Sequence, residues 1–218
     1  MLKIIFTFGI GLLLQTFTYA QVNVKGNGLA DAVANLERAV SPDYYCQLEK
    51  SFLEMAERDS SQWLPWYYAA YCEIRMGFLL KENEAKNQAC SVSALRNIKK
   101  AESRCPVGAS SLQAEIYNVY SMAYRVLIAA KPMVNGRKYG STANEYLEKA
   151  LRLSPQNPRS LYLSGQLKYL TPALFGGDKK KAKQLLIQAL QSFDKQKSSP
   201  VLPHWGRRDC ELLISKLN

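Results

Sequence analysis

The sequence predicts an all-α protein built from repeated helical hairpins, and a recurring spacing of small and large apolar residues supports this fold class. An alanine is followed by a large aliphatic residue four positions later, a second alanine three positions after that and, in two of the three copies, a proline. The copies are Ala94–Ile98–Ala101–Pro106, Ala143–Leu147–Ala150–Pro155 and Ala182–Leu186–Ala189. Offsets of four and seven lie on one helix face, where alanines allow a second helix to approach closely. The chain shows no convincing period-two alternation that would indicate strands.

Start and stop signals along the chain give the individual helices. Residues 29–40 are alanine-rich and amphipathic, and Ser41 with Pro42 provides the start of a second helix that ends near Arg58. Prolines, glycines and short polar runs set the remaining boundaries. The later helices are predicted over 63–81, 84–104, 110–131, 142–154, 158–170, 178–196 and 203–217, with loops over 132–140 and 171–177.

The recurring spacing resembles the second helix of the tetratricopeptide repeat, whose pattern is A-x3-F…P. The first-helix matches are partial: Trp66 stands at the tryptophan position and Gly165 at the glycine position, whereas Glu115 and Ile116 depart from the pattern. The resemblance covers about residues 29–218, with hairpins longer than those of the family. It implies a TPR-like antiparallel helical-hairpin solenoid of about four repeats plus a C-terminal closing helix, in one domain.

The first twenty residues are predicted to be a secretory signal peptide. Lys3 supplies a positive start, residues 4–14 are apolar, and small residues lead to a cleavage point before Gln21. The apolar run is shorter than the ~20 residues that a membrane span needs. We therefore expect a signal peptide over 1–20, a polar leader over 21–28 and the repeat domain over 29–218, in a periplasmic or secreted protein.

Several loops carry a further resemblance. The runs Gly136-Arg137-Lys138-Tyr139 and Pro203-His204-Trp205-Gly206 are similar to those of exported repeat proteins of Gram-negative envelopes. That group has no assigned activity, so the resemblance supports the fold and the export but names no function.

Composition argues against nucleic-acid binding and catalysis. The formal net charge of +11 would suggest nucleic acid in a cytosolic protein, but the export signal and the dispersed basic residues oppose this. His204 is the only histidine, whereas a zinc site needs three or four ligands. Nucleophile-elbow, dinucleotide and phosphate-loop motifs are missing. We expect no enzyme activity, no metal and no cofactor.

Five cysteines leave the disulfide question open at this stage. An odd number leaves at least one free thiol. Cys72 could pair with Cys90 or with Cys46 across neighbouring helices, or all could be small buried thiols.

Tyrosines are the strongest candidates for binding. In tetratricopeptide proteins the first helix of each repeat lines the concave surface, and transferring those positions places six of the thirteen tyrosines and two arginines there. Tyrosine combines a large apolar face with a hydroxyl and loses little rotamer entropy. The alternative is that these rings fill the interior of a closed superhelix. The candidate partner-binding residues are Tyr67, Tyr71, Arg75, Tyr117, Tyr120, Arg159, Tyr162 and Tyr169.

A second candidate is an anion site at the start of a helix. Gly176 and Gly177 precede Lys179 and Lys180, so backbone N–H groups and lysines could hold a phosphate or carboxylate. The alternative is a flexible turn before an Asp178 N-cap, with lysines on a solvated face.

These observations predict a non-catalytic binding or scaffold module of the cell envelope. Its concave face would recognise a peptide, protein or polymer, without nucleic acid and without stable membrane insertion. The alternative is a small-ligand-binding periplasmic protein with a tyrosine-lined cavity, in which Arg75 and Arg159 would contact the ligand.

Overall fold

The computed structural model describes residues 28–217, which form nine α-helices and one 3-10 turn, with no strand in that range. The predicted all-α class is therefore confirmed for this part of the chain. The predicted signal peptide, and the leader except Gly28, lie outside the described residues. The helices are α1 Leu29–Leu36, α2 Pro42–Arg58, α3 Trp63–Leu79, α4 Glu84–Glu102, α5 Ser110–Ala130, α6 Pro132–Leu153, α7 Pro158–Leu170, α8 Lys179–Lys195 and α9 Arg207–Ser215, with the 3-10 turn at Ala173–Phe175.

Side-chain caps explain why several helices begin where the sequence predicted. Each capping side chain lies just before its helix and accepts a hydrogen bond from a backbone N–H of the first turn, which would otherwise lack a partner. The capping residues are Ser41 for α2, Asn83 for α4, Asn157 for α7 and Asp178 for α8.

Three boundaries differ from the prediction. Residues 132–140 are helical rather than a loop, because Pro132 occupies the first turn of α6, where its missing N–H costs nothing. The side chain of Asn135 also donates to the carbonyl of Leu127 at 2.7 Å, which fixes the tight turn between α5 and α6. In addition, α1 ends at Leu36 rather than residue 40, and α9 begins at Arg207 rather than residue 203.

Each helix from α1 to α8 packs on the next, and α5 is the centre of the bundle because it contacts α3, α4, α6 and α7. The repeated alanines supply these contacts: Ala101, Ala150 and Ala189 are fully buried. Close packing at these positions leaves no room for a longer side chain. None of the helices described in residues 28–217 is long and apolar enough to cross a membrane.

The segment before α9 turns back onto α3 and α7. The hydroxyl of Tyr68 donates to the carbonyl of Val201 at 2.7 Å. Gly206 adopts a φ of +101° and lies against Tyr162 and Phe193, so a side chain there would be strained. This turn places Trp205 between α3 and α7.

Candidate functional site

The tyrosines predicted to share one surface form two separate clusters. Tyr67 and Tyr71 contact Trp205 and Tyr162 lies against the adjacent Gly206, whereas Tyr117 and Tyr120 contact Tyr146 of α6. The first cluster fills the space between α3, α7 and the C-terminal segment. The second faces the space between α4 and α6.

The tyrosines of the Trp205 cluster are buried, whereas Trp205 itself is half-buried. Trp205 Nε1 donates to the Tyr67 hydroxyl at 2.9 Å, and its ring stacks on Tyr71 with the ring centroids 5.0 Å apart. Tyr67, Tyr71 and Tyr162 are no more than 5% exposed, and burial raises the pKa of each hydroxyl. This matches the alternative in which these rings fill an interior.

The two predicted arginines are paired within the chain. Arg75 Nη1 lies 2.9 Å from Asp209 Oδ2 of α9, and about a third of its side chain stays exposed. Arg159 is buried and its Nε lies 2.7 Å from Glu115 Oε2, while its Nη2 donates to Glu115 Oε1 at 2.7 Å. Burial lowers the pKa of Arg159, but the carboxylate of Glu115, together with Tyr67 and Tyr68, holds that pKa above its ordinary value. The charge of Arg159 is therefore compensated by Glu115.

Around Tyr146 lies an aromatic surface that we call the tyrosine groove. Tyr120 stacks on Tyr146 at 4.6 Å between ring centroids, and Tyr117 and Tyr124 each lie 5.9 Å from it. Tyr139 extends the row, 6.2 Å from Tyr124. Except for the buried Tyr120, these rings are half-buried and offer part of their faces to solvent. The tyrosine groove comprises Tyr117, Tyr120, Tyr124, Tyr139 and Tyr146.

Two helices wall this groove without packing closely on each other. Both α4 and α6 pack on α5, whose tyrosine face forms the floor. The Tyr120 hydroxyl donates to Glu102 Oε2 of α4 at 2.8 Å, which fixes the α4 side. Leu95 lies about two turns before Glu102 on nearly the same helix face, and Val92 lies about three turns before it on the adjacent face, where it is 49% exposed. The α4 wall is thus partly apolar.

Lysines stand at the rim of the groove. Lys149 Nζ lies 5.0 Å from the centre of the Tyr146 ring, and Lys138 Nζ lies 4.9 Å from that of Tyr139. Burial raises the pKa of Tyr120 and of Tyr146, and the neighbouring Glu102 adds to the rise for both. The phenols of Tyr120 and Tyr146 therefore stay protonated at neutral pH, beside cationic side chains.

A shift in helix register explains why Tyr117 and Tyr120 lie here. One residue turns a helix by 100°, so an alignment error of one or two residues assigns the wrong face. The α5 residues that contact α7 include Glu115, Asn118 and Arg125, which hydrogen-bond to Arg159, to Ser160 and to the carbonyl of Leu163, respectively. The mismatch of Glu115 and Ile116 with the repeat pattern was the signal in the sequence that the alignment of α5 was unreliable.

Sequence reasoning missed Tyr124, Tyr139 and Tyr146. Tyr139 and Tyr146 are seven residues apart, which places them on one helix face. That signal was hidden because residues 132–140 were predicted to be a loop. Trp205 and Glu115 were also missed as partners, since both contacts join distant parts of the chain.

The remaining predicted residues lie at the end of α7 and beyond it. Tyr169 is half-buried near the end of that helix. Gly176 and Gly177 lie in the turn before α8, Lys179 and Lys180 are the first residues of that helix, and Asp178 Oδ1 accepts from the backbone N–H of Lys181 at 2.9 Å. The Asp178 cap of the alternative interpretation is therefore present, and both lysines are exposed.

The cysteines and acidic residues add no further site within residues 28–217. All five cysteines are unpaired, and burial raises the pKa of Cys72 and Cys210. Such thiols behave as small apolar side chains. Over the same range there is no group of three or more histidine, cysteine, aspartate or glutamate residues that could hold a metal ion.

Comparison with known proteins identifies the relatives of this fold. No protein-family profile matches the chain, and no curated protein matches it. Among solved structures, the chain is similar to the HusA haemophore from Porphyromonas gingivalis, with 30% sequence identity and a TM-score of 0.76. The similarity covers 87% of this chain and 90% of that one. The protein is thus an all-helical protein that has a relative among the solved structures. It belongs to the family of the HusA haemophore.

Proposed function

We propose that the protein is an exported, non-catalytic carrier that binds haem or a related porphyrin in the tyrosine groove. The observation that carries this is the row of half-buried tyrosines between α4 and α6, in a chain whose relative is a haemophore. We also infer that the helices stack as TPR-like hairpins. The groove then lies between α4 and α6, which are the second helices of two successive hairpins. The tyrosine groove takes the place of the predicted concave face as the proposed binding surface, because Trp205 occupies the space between α3 and α7.

The chemistry of the groove suits a flat apolar ligand with acidic groups at one edge. A porphyrin presents a large aromatic face, which can stack on Tyr117, Tyr124 and Tyr146. Its two propionates would lie near the rim, where Lys138 and Lys149 supply positive charge. Val92 and Leu95 add apolar contact from the opposite wall.

The stacked rings of the groove favour recognition of the macrocycle, and two of them, Tyr120 and Tyr146, are poorly suited to ligate iron. A tyrosine that binds iron loses its proton, whereas burial raises the pKa of Tyr120 and Tyr146 and keeps their protons in place. The single histidine, His204, lies on the C-terminal segment, with its Nδ1 3.0 Å from the carbonyl of Leu202. We therefore expect metal-free porphyrins to bind as well as haem.

Absorbance and tyrosine-fluorescence titrations with haemin and with metal-free protoporphyrin test this proposal. The double variant Tyr117→Ala/Tyr124→Ala should bind both about tenfold more weakly or worse, because it removes two stacking faces. Tyr169→Ala, a half-buried tyrosine on α7 outside the groove, is the matched control and should bind normally. A folded double variant with unchanged affinity would rule out the groove.

The role of the lysines has its own test. Lys138→Gln/Lys149→Gln should weaken binding of the dicarboxylate porphyrin but not of its dimethyl ester, since the ester has no charge to pair. Equal weakening for both ligands would contradict pairing with the propionates.

A peptide or protein partner in the envelope, as predicted from the sequence, remains a second proposal. The exposed part of Arg75 and the half-buried Tyr169 favour it, because both remain partly accessible to a partner. If Arg75→Ala/Tyr169→Ala abolishes capture of an envelope protein while porphyrin binding persists, the two activities use different surfaces.

A further inference from the structure

The turn between α7 and α8 displays large apolar side chains among lysines. Leu174 is 88% exposed, Leu170 67% and Phe175 64%. Residues 168–181, which we call the Phe175 turn, contain four lysines and one aspartate. Exposed apolar residues grouped in this way are a recognised mark of an interaction surface.

Hydrogen bonds hold the Phe175 turn in one conformation. The backbone N–H groups of Phe175 and Gly177 both donate to the carbonyl of Pro172, at 2.9 and 3.1 Å. Lys168 Nζ donates to the carbonyl of Gly176 at 3.0 Å. A side chain at Gly177 would lie 1.7 Å from the Thr171 carbonyl oxygen, so the turn requires glycine there. The apolar side chains are therefore presented outward by a built structure.

The neighbouring hairpin adds to the same edge of the molecule. Glu115 of α5 pairs with Arg159 of α7, and further along both helices Arg125 donates to Gln166. Because both contacts advance in the same direction, α5 and α7 run parallel and end at the same edge. Immediately after α5, Met133 and Val134 are 68% and 64% exposed.

We propose that this edge docks on an anionic lipid surface, with Leu174 and Phe175 entering the interface. Charge supports a lipid surface as the occupant: Lys179, Lys180 and Lys181 are all exposed beside the apolar tip, and none forms an ion pair within residues 28–217. Apolar side chains flanked by lysines bind the headgroup region through burial and attraction to anionic lipids together. This goes beyond the proposed ligand, because it concerns the protein without porphyrin.

Vesicle sedimentation tests the docking surface with the ligand-free protein. We expect binding to phosphatidylcholine vesicles that contain about 30 mol % phosphatidylglycerol, and little binding to pure phosphatidylcholine. Leu174→Ser/Phe175→Ser should lower the vesicle affinity about tenfold or more. The matched control is Val107→Ser, which changes a fully exposed valine in the connection between α4 and α5 and should leave binding intact.

Two further arms separate this surface from other occupants. Lys179→Gln/Lys180→Gln should also weaken vesicle binding, as should salt at about 0.5 M. Absence of binding to anionic vesicles would overturn the proposal. It would equally be overturned if the serine variant bound like the wild type. Leu174 and Phe175 would then not enter the interface, and the lysines alone would account for the attraction to anionic groups. The serine variant should bind porphyrin with normal affinity. Titrating it with porphyrin therefore distinguishes a failure of the lipid-docking proposal from a failure of the ligand proposal.

Discussion

Trp205 donates its indole N–H to the hydroxyl of Tyr67 at 2.9 Å, joining residues 138 positions apart in the sequence. The same ring stacks on Tyr71 and lies 5.9 Å from the guanidinium of Arg159. One side chain of the C-terminal segment thus contacts both α3 and α7. The segment completes the interior of the protein, and the surface predicted for binding is largely occupied by it.

Replacing this ring should destabilise the whole domain. Trp205→Ala removes a large half-buried aromatic group and leaves a cavity, so we expect a loss of about 2–4 kcal/mol in the free energy of unfolding. Tyr67→Phe, which removes only the acceptor, should cost about 1–2 kcal/mol. Urea denaturation measures both, with the exposed Arg208→Ala as a control. A melt of Trp205→Ala equal to that of the wild type would show that the segment does not stabilise the interior.

Removing one member of the buried ion pair should cost more than removing both. Arg159→Met leaves the carboxylate of Glu115 buried without its cation, and we expect a loss of about 3–5 kcal/mol. Adding Glu115→Leu should recover much of that loss, because no uncompensated charge remains. Arg207→Met, at an exposed pair with Asp194, is the control and should change little. Additive losses in the double variant would contradict direct coupling between the two charges.

Glu73 should make stability depend on pH in a defined direction. Burial raises its pKa to about 8, and the nearby carboxylate of Glu49 contributes, while Asn97 Nδ2 donates to its Oε2 at 3.1 Å. Between about pH 4.5 and 8 the folded state therefore binds more protons than the unfolded state, and stability falls as pH rises. Glu73→Gln should flatten this decline and be relatively most stabilising at about pH 8.

Denaturation at several pH values over this range measures the effect of Glu73→Gln. The exposed Glu57→Gln is the control and should keep the slope of the wild type. Some decline should persist in Glu73→Gln, because burial also raises the pKa of Glu49. An unchanged slope would mean that Glu73 is ionised in the folded protein.

Local signals in the sequence were enough to locate most of the helices. Ser41 and Asp178 cap helices where the sequence placed helix starts, because a cap depends only on the residues of one turn. The alanine spacing also identified buried helix faces correctly, since a period of 3.6 residues is a property of the segment itself. The same local signals were ambiguous at Pro132, because a proline is compatible both with a loop and with the first turn of a helix.

Only the tertiary structure decided which helix faces meet. Tyr117 and Tyr120 were singled out from the sequence, but the structure places them beside Tyr146 instead of beside Tyr71. A helix turns by 100° per residue, so the face that a residue presents depends on a register that partial repeat matches do not fix. The pairs Arg159–Glu115 and Trp205–Tyr67 join residues 44 and 138 positions apart, and such contacts exist only after the helices have packed.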